Sequence, residues 1–257
     1  MRFRVKAFSL HLSVSASVLT LVLGGLYAGW YRYPGWYLAD AAHIVMLVVA
    51  VDLALGPTLT LMVAHPRKPR RVLARDIAVI AFMQAVALVY GAFTLWYARP
   101  LYYAFSVDRV EVVQASDLKS AEIARARQEN GAFAPHWYSL TRWIWAPLPQ
   151  NADVATKIVQ SAVFGGDDVI EMPRYFRSWD SGLAELRKQL RGVDEWIYLS
   201  RGEKQGLRQR IAQAGMPADQ RNTLIMWGGS RRVLLVFDLG TLRIRLMLRP
   251  DEPPRAP

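Results

Sequence analysis

Three polar residues lie inside long apolar runs, and they are the first candidates for chemistry. Asp52 interrupts "AAHIVMLVVAVDLALGPTLTLMV" (41–63), Ser17 lies in "AFSLHLSVSASVLTLVLGGLYAGWY" (7–31), and Gln84 lies in "IAVIAFMQAVALVYGAFTLWYA" (77–98). Each run is about the 20 residues that an α-helix needs to cross roughly 30 Å of hydrocarbon. At 1.5 Å per residue, Asp52 and Ser17 lie about 15 Å deep and Gln84 about 12 Å. A carboxylate at that depth costs several kcal/mol unless it is partnered, hydrated or protonated. The economical arrangement turns Asp52 inward and bonds it to Ser17 and Gln84. Pro57 is expected to kink the second helix and free the carbonyl of Leu53.

The surrounding spacing fits helices that pack closely. Ser9, Ser13, Ser17, Thr20 and Gly24 form one small-residue stripe. Asp52, Gly56 and Thr60 are four apart, and Ala81, Gln84, Ala85, Leu88 and Gly91 make a comparable face. Small residues let membrane helices approach, and polar ones bond across the contact. Two uses follow: a self-contained polar knot, or a face that docks the membrane helix of a partner. The candidate partner-binding residues are Ser17, Asp52, Gly56, Pro57, Gln84 and Gly91. A third use, a proton- or ion-linked group in a small sensor or transporter subunit, rests on one carboxylate among three helices.

Other chemistry is poorly supported. His11, His43, His65 and His136 match no zinc spacing, so no metal site is expected. Asp167 and Asp168 read as a solvated Gly-rich turn. The glycines of "AGWYRYPGW" and "FGGDD" lack a phosphate-binding fingerprint, and no G-x-S-x-G occurs. The aromatics of "HWYSLTRWIW" are expected to pack a core. No catalytic residue, cofactor or small-molecule substrate is expected. The chain lacks cysteine, which excludes disulfides and thiolate metal sites.

Positive charge orients the spans. The net charge is +11 over 257 residues. Arg2, Arg4 and Lys6 precede the first run, and Arg67, Lys68, Arg70, Arg71 and Arg75 separate the second from the third. The loop between the first two runs holds one Arg and one Asp. The positive-inside rule then predicts a cytoplasmic N-terminus and 64–76 loop, with residue 100 onward across the membrane. Topology and lipid headgroups explain the basic residues without nucleic acid. Tyr27, Trp30, Tyr31, Tyr33, Trp36, Tyr37, Trp96 and Tyr97 mark the outer interface. A cleaved signal peptide fits less well: the first run is too long, no A-x-A site follows, and two more spans come after it.

Residues 1–99 are therefore predicted to be a three-helix transmembrane domain, and 100–257 an α+β domain with a small antiparallel sheet. In the latter, "YYAFSVDRVEVV" (102–113) reads as one strand, and four helices follow: 115–131, 151–166, 180–192 and 201–215. The stretch 133–150 reads as a Pro- and Trp-rich connecting loop, and 167–180 as irregular. "NTLIMW" is a short strand, and "RRVLLVFDLGTLRIRLMLRP" a hairpin near which the first strand pairs. The tail "DEPPRAP" is expected to fray.

The membrane region resembles a known family. The "VDLALGPTLTL" segment, the "HPRK" loop, "DIAVI" followed by "ALVYG", the Arg99–Pro100 exit and "VDRVEVV" are similar to type IV pilin accessory proteins of the TfpX/TfpZ type. The shared positions here are Val51, Asp52, Leu55, Gly56, Pro57, Gln84, Tyr90, Gly91, Arg99 and Pro100. The similarity is strong through the membrane region and its exit, and weak beyond. It implies an inner-membrane protein with a periplasmic domain and no enzymatic activity. Such a protein would act as a chaperone, stability factor or modulator for a cognate type IV major pilin, which is the partner implied.

Overall fold

The computed structural model describes residues 2–252. The expected fraying of the tail concerns 253–257, which lie outside the described residues. The chain divides into two compact units between Arg99 and Pro100.

The first unit is helical. Helix α1 spans Arg2–Gly29, and a short turn of helix, α2 (Gly35–Leu38), precedes a second rod. That rod is made of α3 (Ala42–Val49), a π-helical segment (Ala50–Leu55) and α4 (Gly56–Val63). Helix α5 spans Arg70–Tyr97. Helix α1, the rod Ala42–Val63 and helix α5 are each long and apolar enough to cross a membrane. Their large side chains mostly point outward: Leu21 is 79% exposed and Tyr90 71%.

Both ends of this unit are fastened. Near Tyr31, a cluster with Ala41 and Leu95 is covered by Trp30 and Trp36. The Tyr31 hydroxyl donates to the carbonyl of Leu95 at 2.7 Å. Arg99 donates to the Trp96 carbonyl at 2.6 Å, and its guanidinium lies over the rings of Trp96 and Trp30. At the other end Arg4 donates to the Ala64 carbonyl at 2.8 Å, and Lys68 pairs with Asp76.

The second unit is built on a seven-stranded sheet. Its strands are β1 (Pro100–Ser106), β2 (Arg109–Gln114), β3 (Arg142–Trp145), β4 (Arg177–Ser178), β5 (Thr223–Gly228), β6 (Arg231–Phe237) and β7 (Ile244–Leu248). Their order is β4-β3-β1-β2-β5-β6-β7. Helices α6 (Ser120–Glu129), α7 (Ala152–Val163), α8 (Leu183–Gln189) and α9 (Arg201–Gln213) fall between strands in sequence. Asn151 caps α7, accepting from the backbone N–H of Asp153 and Val154, and Ser200 with Glu203 forms a capping box on α9.

The sheet corrects the expectation of a small antiparallel one. It is larger and it is mixed, because β1 pairs with β3 and β2 with β5 in parallel. Parallel neighbours need a long crossover, and the chain through α6 supplies one between β2 and β3. The predicted single strand 102–113 is a hairpin instead. It turns at Val107–Asp108, with Val107 at φ 52°. The stretch read as a loop contains β3, and the one read as irregular contains β4. The second half of the predicted first strand, β2, pairs with β5, which alone separates it from the closing hairpin of β6 and β7.

Side chains explain the order. Every residue of β1 is buried, and Leu224, Ile225 and Met226 of β5 pair with Leu235, Leu234 and Val233 of β6, all inside. Continuous burial marks strands covered on both faces. Trp143 of β3 packs edge-on against Tyr103 and Trp179, so the aromatics near Arg142 split in two. Trp143 is half-buried against those rings, whereas Trp137 and Tyr138 are exposed.

Candidate functional site

The site residues of the helical unit are arranged around one break in the backbone. A π-helix bonds each N–H to the carbonyl five residues back. The N–H of Gly56 accordingly donates to the carbonyl of Val51. The next bond in this register would join Pro57 to the carbonyl of Asp52, and proline has no N–H. Gln84 of α5 supplies the missing donor: its Nε2 donates to the Asp52 carbonyl at 3.0 Å. The acceptor that Gln84 meets is therefore that of Asp52, one residue before the expected Leu53, because the π register reaches one residue further back.

Gly56 makes this contact possible. A Cβ there would overlap the carboxamide of Gln84. Gly91 does the same for another pair, since a Cβ on it would overlap Cγ2 of Val48. Gln84 also uses its other end. Its Oε1 lies 2.7 Å from Nε2 of His11, and Nδ1 of that ring lies 2.6 Å from the Thr60 hydroxyl. One imidazole thus ties α1 to both α4 and α5.

Asp52 is 3% exposed, and its Oδ1 is buried without a hydrogen-bond partner. The residue lines a cleft of about 200 Å³. Its walls are Val14, Ser15 and Val18 of α1 and Ala81, Ala85 and Leu88 of α5, with His11 and Gln84 alongside.

The structure therefore brings together Asp52, Gly56, Pro57 and Gln84, and sets Gly91 on the same helix pair. It does not bring Ser17 to them. The Ser17 hydroxyl donates to the carbonyl of Ser13 at 2.8 Å, one turn back on its own helix. The expected Ser17–Asp52 bond is absent because the stripe Ser9, Ser13, Ser17, Thr20 and Gly24 is exposed, away from the other helices. Sequence reasoning set Thr60 on the face of Asp52 and Gly56 and missed His11 as its bonding partner. A lone histidine in an apolar run was the available signal, since hydrocarbon demands a partner for it.

In the sheet unit the acidic pair resolves into local bonds. Asp167 pairs with Lys119, and Asp168 accepts from the N–H of Val169 at 2.5 Å. Nearby Glu171 has its carboxyl pushed up by burial and by the negative charge of Asp167. Among the described residues no group of three or more His, Cys, Asp or Glu could hold a metal ion.

No family model matches the chain. No solved structure matches it either. It is similar to three proteins of Dichelobacter nodosus. It is 24% identical over 222 residues to the fimbrial assembly protein of serogroup I, covering 85% of this chain and 84% of the relative. It is 25% identical over 189 residues to that of serogroup E1, covering 72% and 71%. With the fimbrial assembly protein of serogroups C1 and C2 it shares 27% identity over 124 residues, which is 48% of this chain and 95% of the relative.

Proposed function

We propose that the chain is an inner-membrane accessory protein that supports the stability, assembly or dynamics of a cognate type IV pilin. The observation that carries this reading is the similarity to a fimbrial assembly protein along 85% of the chain. A similarity over 222 residues is longer than either unit and so enters both, and the reading does not rest on apolar helices alone.

The helical unit supports a membrane location. Its three long helices expose Leu10, Leu21, Phe82, Val89 and Tyr90 while the buried centre holds Asp52, Thr60 and Gln84. Hydrocarbon solvates such a surface and water does not. With the basic loops inside, the N-terminus is cytoplasmic and the sheet unit periplasmic. Under this reading the protein binds and does not catalyse. A sensor or transporter role has Asp52 as its motive, and the bonds around it explain that residue's neighbours as packing.

Deletion of the chain in its host, scored for pilin level and surface pili, tests the function. Loss of either is expected, and normal piliation would overturn it. For topology, alkaline phosphatase fused at the C-terminus should be active, and a green fluorescent protein fused there dark.

A further inference from the structure

The cleft between α1 and α5 is a socket with an unmet demand at its floor. Its walls are largely aliphatic, with Val14 and Val18 flanking Ser15 on one side and Ala81, Ala85 and Leu88 on the other. At the floor lies Asp52, 97% buried by its 3% exposure, with Oδ1 lacking any hydrogen-bond partner. The groups beside it are already engaged. Gln84 is held by the Asp52 carbonyl and His11, and His11 by Thr60. These bonds leave one N–H of Gln84 and the hydroxyl of Ser15 as donors around the cleft, and neither bonds Oδ1.

A buried acceptor left unmet is expensive, more so when it is a carboxylate. We propose that the cleft receives one side chain from the membrane helix of a pilin, a side chain that ends in a hydrogen-bond donor. This deepens the function proposed above and rests on it. Size supports a single side chain: a cavity of about 150 Å³ holds a benzene ring, so about 200 Å³ takes one knob and not a helix backbone. The aliphatic walls support an apolar helix as the carrier. The floor selects for a hydroxyl, amide or amine at the tip. An acyl chain fills the same space but offers no donor, so lipid leaves Oδ1 unmet.

The mode of binding is then knob into socket, with the donor giving specificity. Val14 and Ala85 are on the rim, with Val14 55% exposed, and are open to a neighbouring helix. Met62 of α4 is 66% exposed and is not part of the cleft.

The test uses the full chain in its host membrane. A photoreactive benzoylphenylalanine is placed at Val14, at Ala85 or, as the control, at Met62. Crosslinks are probed with antibody to the major pilin and to this chain. Pilin adducts from Val14 and Ala85 but not from Met62 are expected. Asp52→Leu should reduce the adduct yield about tenfold at equal protein level, the scale of one hydrogen bond to a charged group. Ala85→Phe fills the cleft while keeping Asp52, and should reduce the Val14 adduct similarly, so a folding defect in one variant does not decide the result. Adducts only to lipid, to a second copy of this chain or to a protein other than the pilin overturn the proposal. So does an unchanged yield with both variants. If deletion still abolishes piliation in that case, the accessory function stands and the socket alone fails. If deletion leaves piliation normal, the function itself fails.

Discussion

The two units are built inside out with respect to each other. At the centre of the helical unit the polar Asp52, Thr60 and Gln84 are buried beside Leu19 and Val48, and the outer surface is Leu, Val, Phe and Tyr. In the sheet unit Phe105, Ile144, Leu224 and Phe237 are buried at 0–1% exposure, and its charges pair at the surface. The difference teaches what holds each together. Water drives apolar groups into the sheet unit's core. Under the membrane location proposed above, hydrocarbon surrounds the helical unit, that force is missing between its helices, and close approach with polar bonds replaces it.

The comparison can be broken from either side. The largest effect belongs to the sheet unit. Phe237→Ala should cost about 3–5 kcal/mol, because it opens a cavity in a core that water closes. Urea unfolding of the protein in detergent should show an earlier loss of near-ultraviolet dichroism, while the apolar helices stay folded. Simultaneous loss of both units would mean they are not independent.

The next effect is in the helical unit. Gly56→Ala puts a methyl where the Gln84 carboxamide lies and should cost about 1–3 kcal/mol. Steric trapping or graded denaturation in micelles reads this, and an unchanged midpoint would deny the close approach. Gln84→Leu keeps the volume and removes the bonds to Asp52 and His11, for about 1–2 kcal/mol. The same assay reads it.

A double-mutant cycle sharpens the point further. Pro57→Ala restores an N–H, so the Asp52 carbonyl gains a donor within its own helix. Gln84→Leu should then cost about 0.5–1 kcal/mol less than in the parent. Additive costs would show that the glutamine does not stand in for the proline. Ser17→Ala is expected to change stability by less than about 0.5 kcal/mol, since Ser17 bonds only within α1.

Much of the fold was legible in the sequence where the signal is local. Three apolar runs of the right length marked three helices. What was illegible depended on partners far along the chain. Strand β3 is four residues, Arg142–Trp145, between Pro-rich flanks, and its pairing with β1 is set by the crossover. The β1–β2 turn lacks the Asn or Gly that usually marks one, and places β-branched Val107 at positive φ. At the site, depth along the helices put Asp52 beside Gln84 but could not fix rotation about the axis. That rotation decides that His11, and not Ser17, faces the cluster.

One consequence of the π segment reaches beyond its own bonds. A π turn carries one surplus residue, so everything after Gly56 is swivelled by about 100° relative to an unbroken α-helix. Val48, before it, meets Gly91 of α5, while Thr60, after it, meets His11 of α1. A single rod thereby serves two neighbours on different sides, like a key cut on two edges. Excising Leu53 would straighten the thread and turn one edge away from its lock.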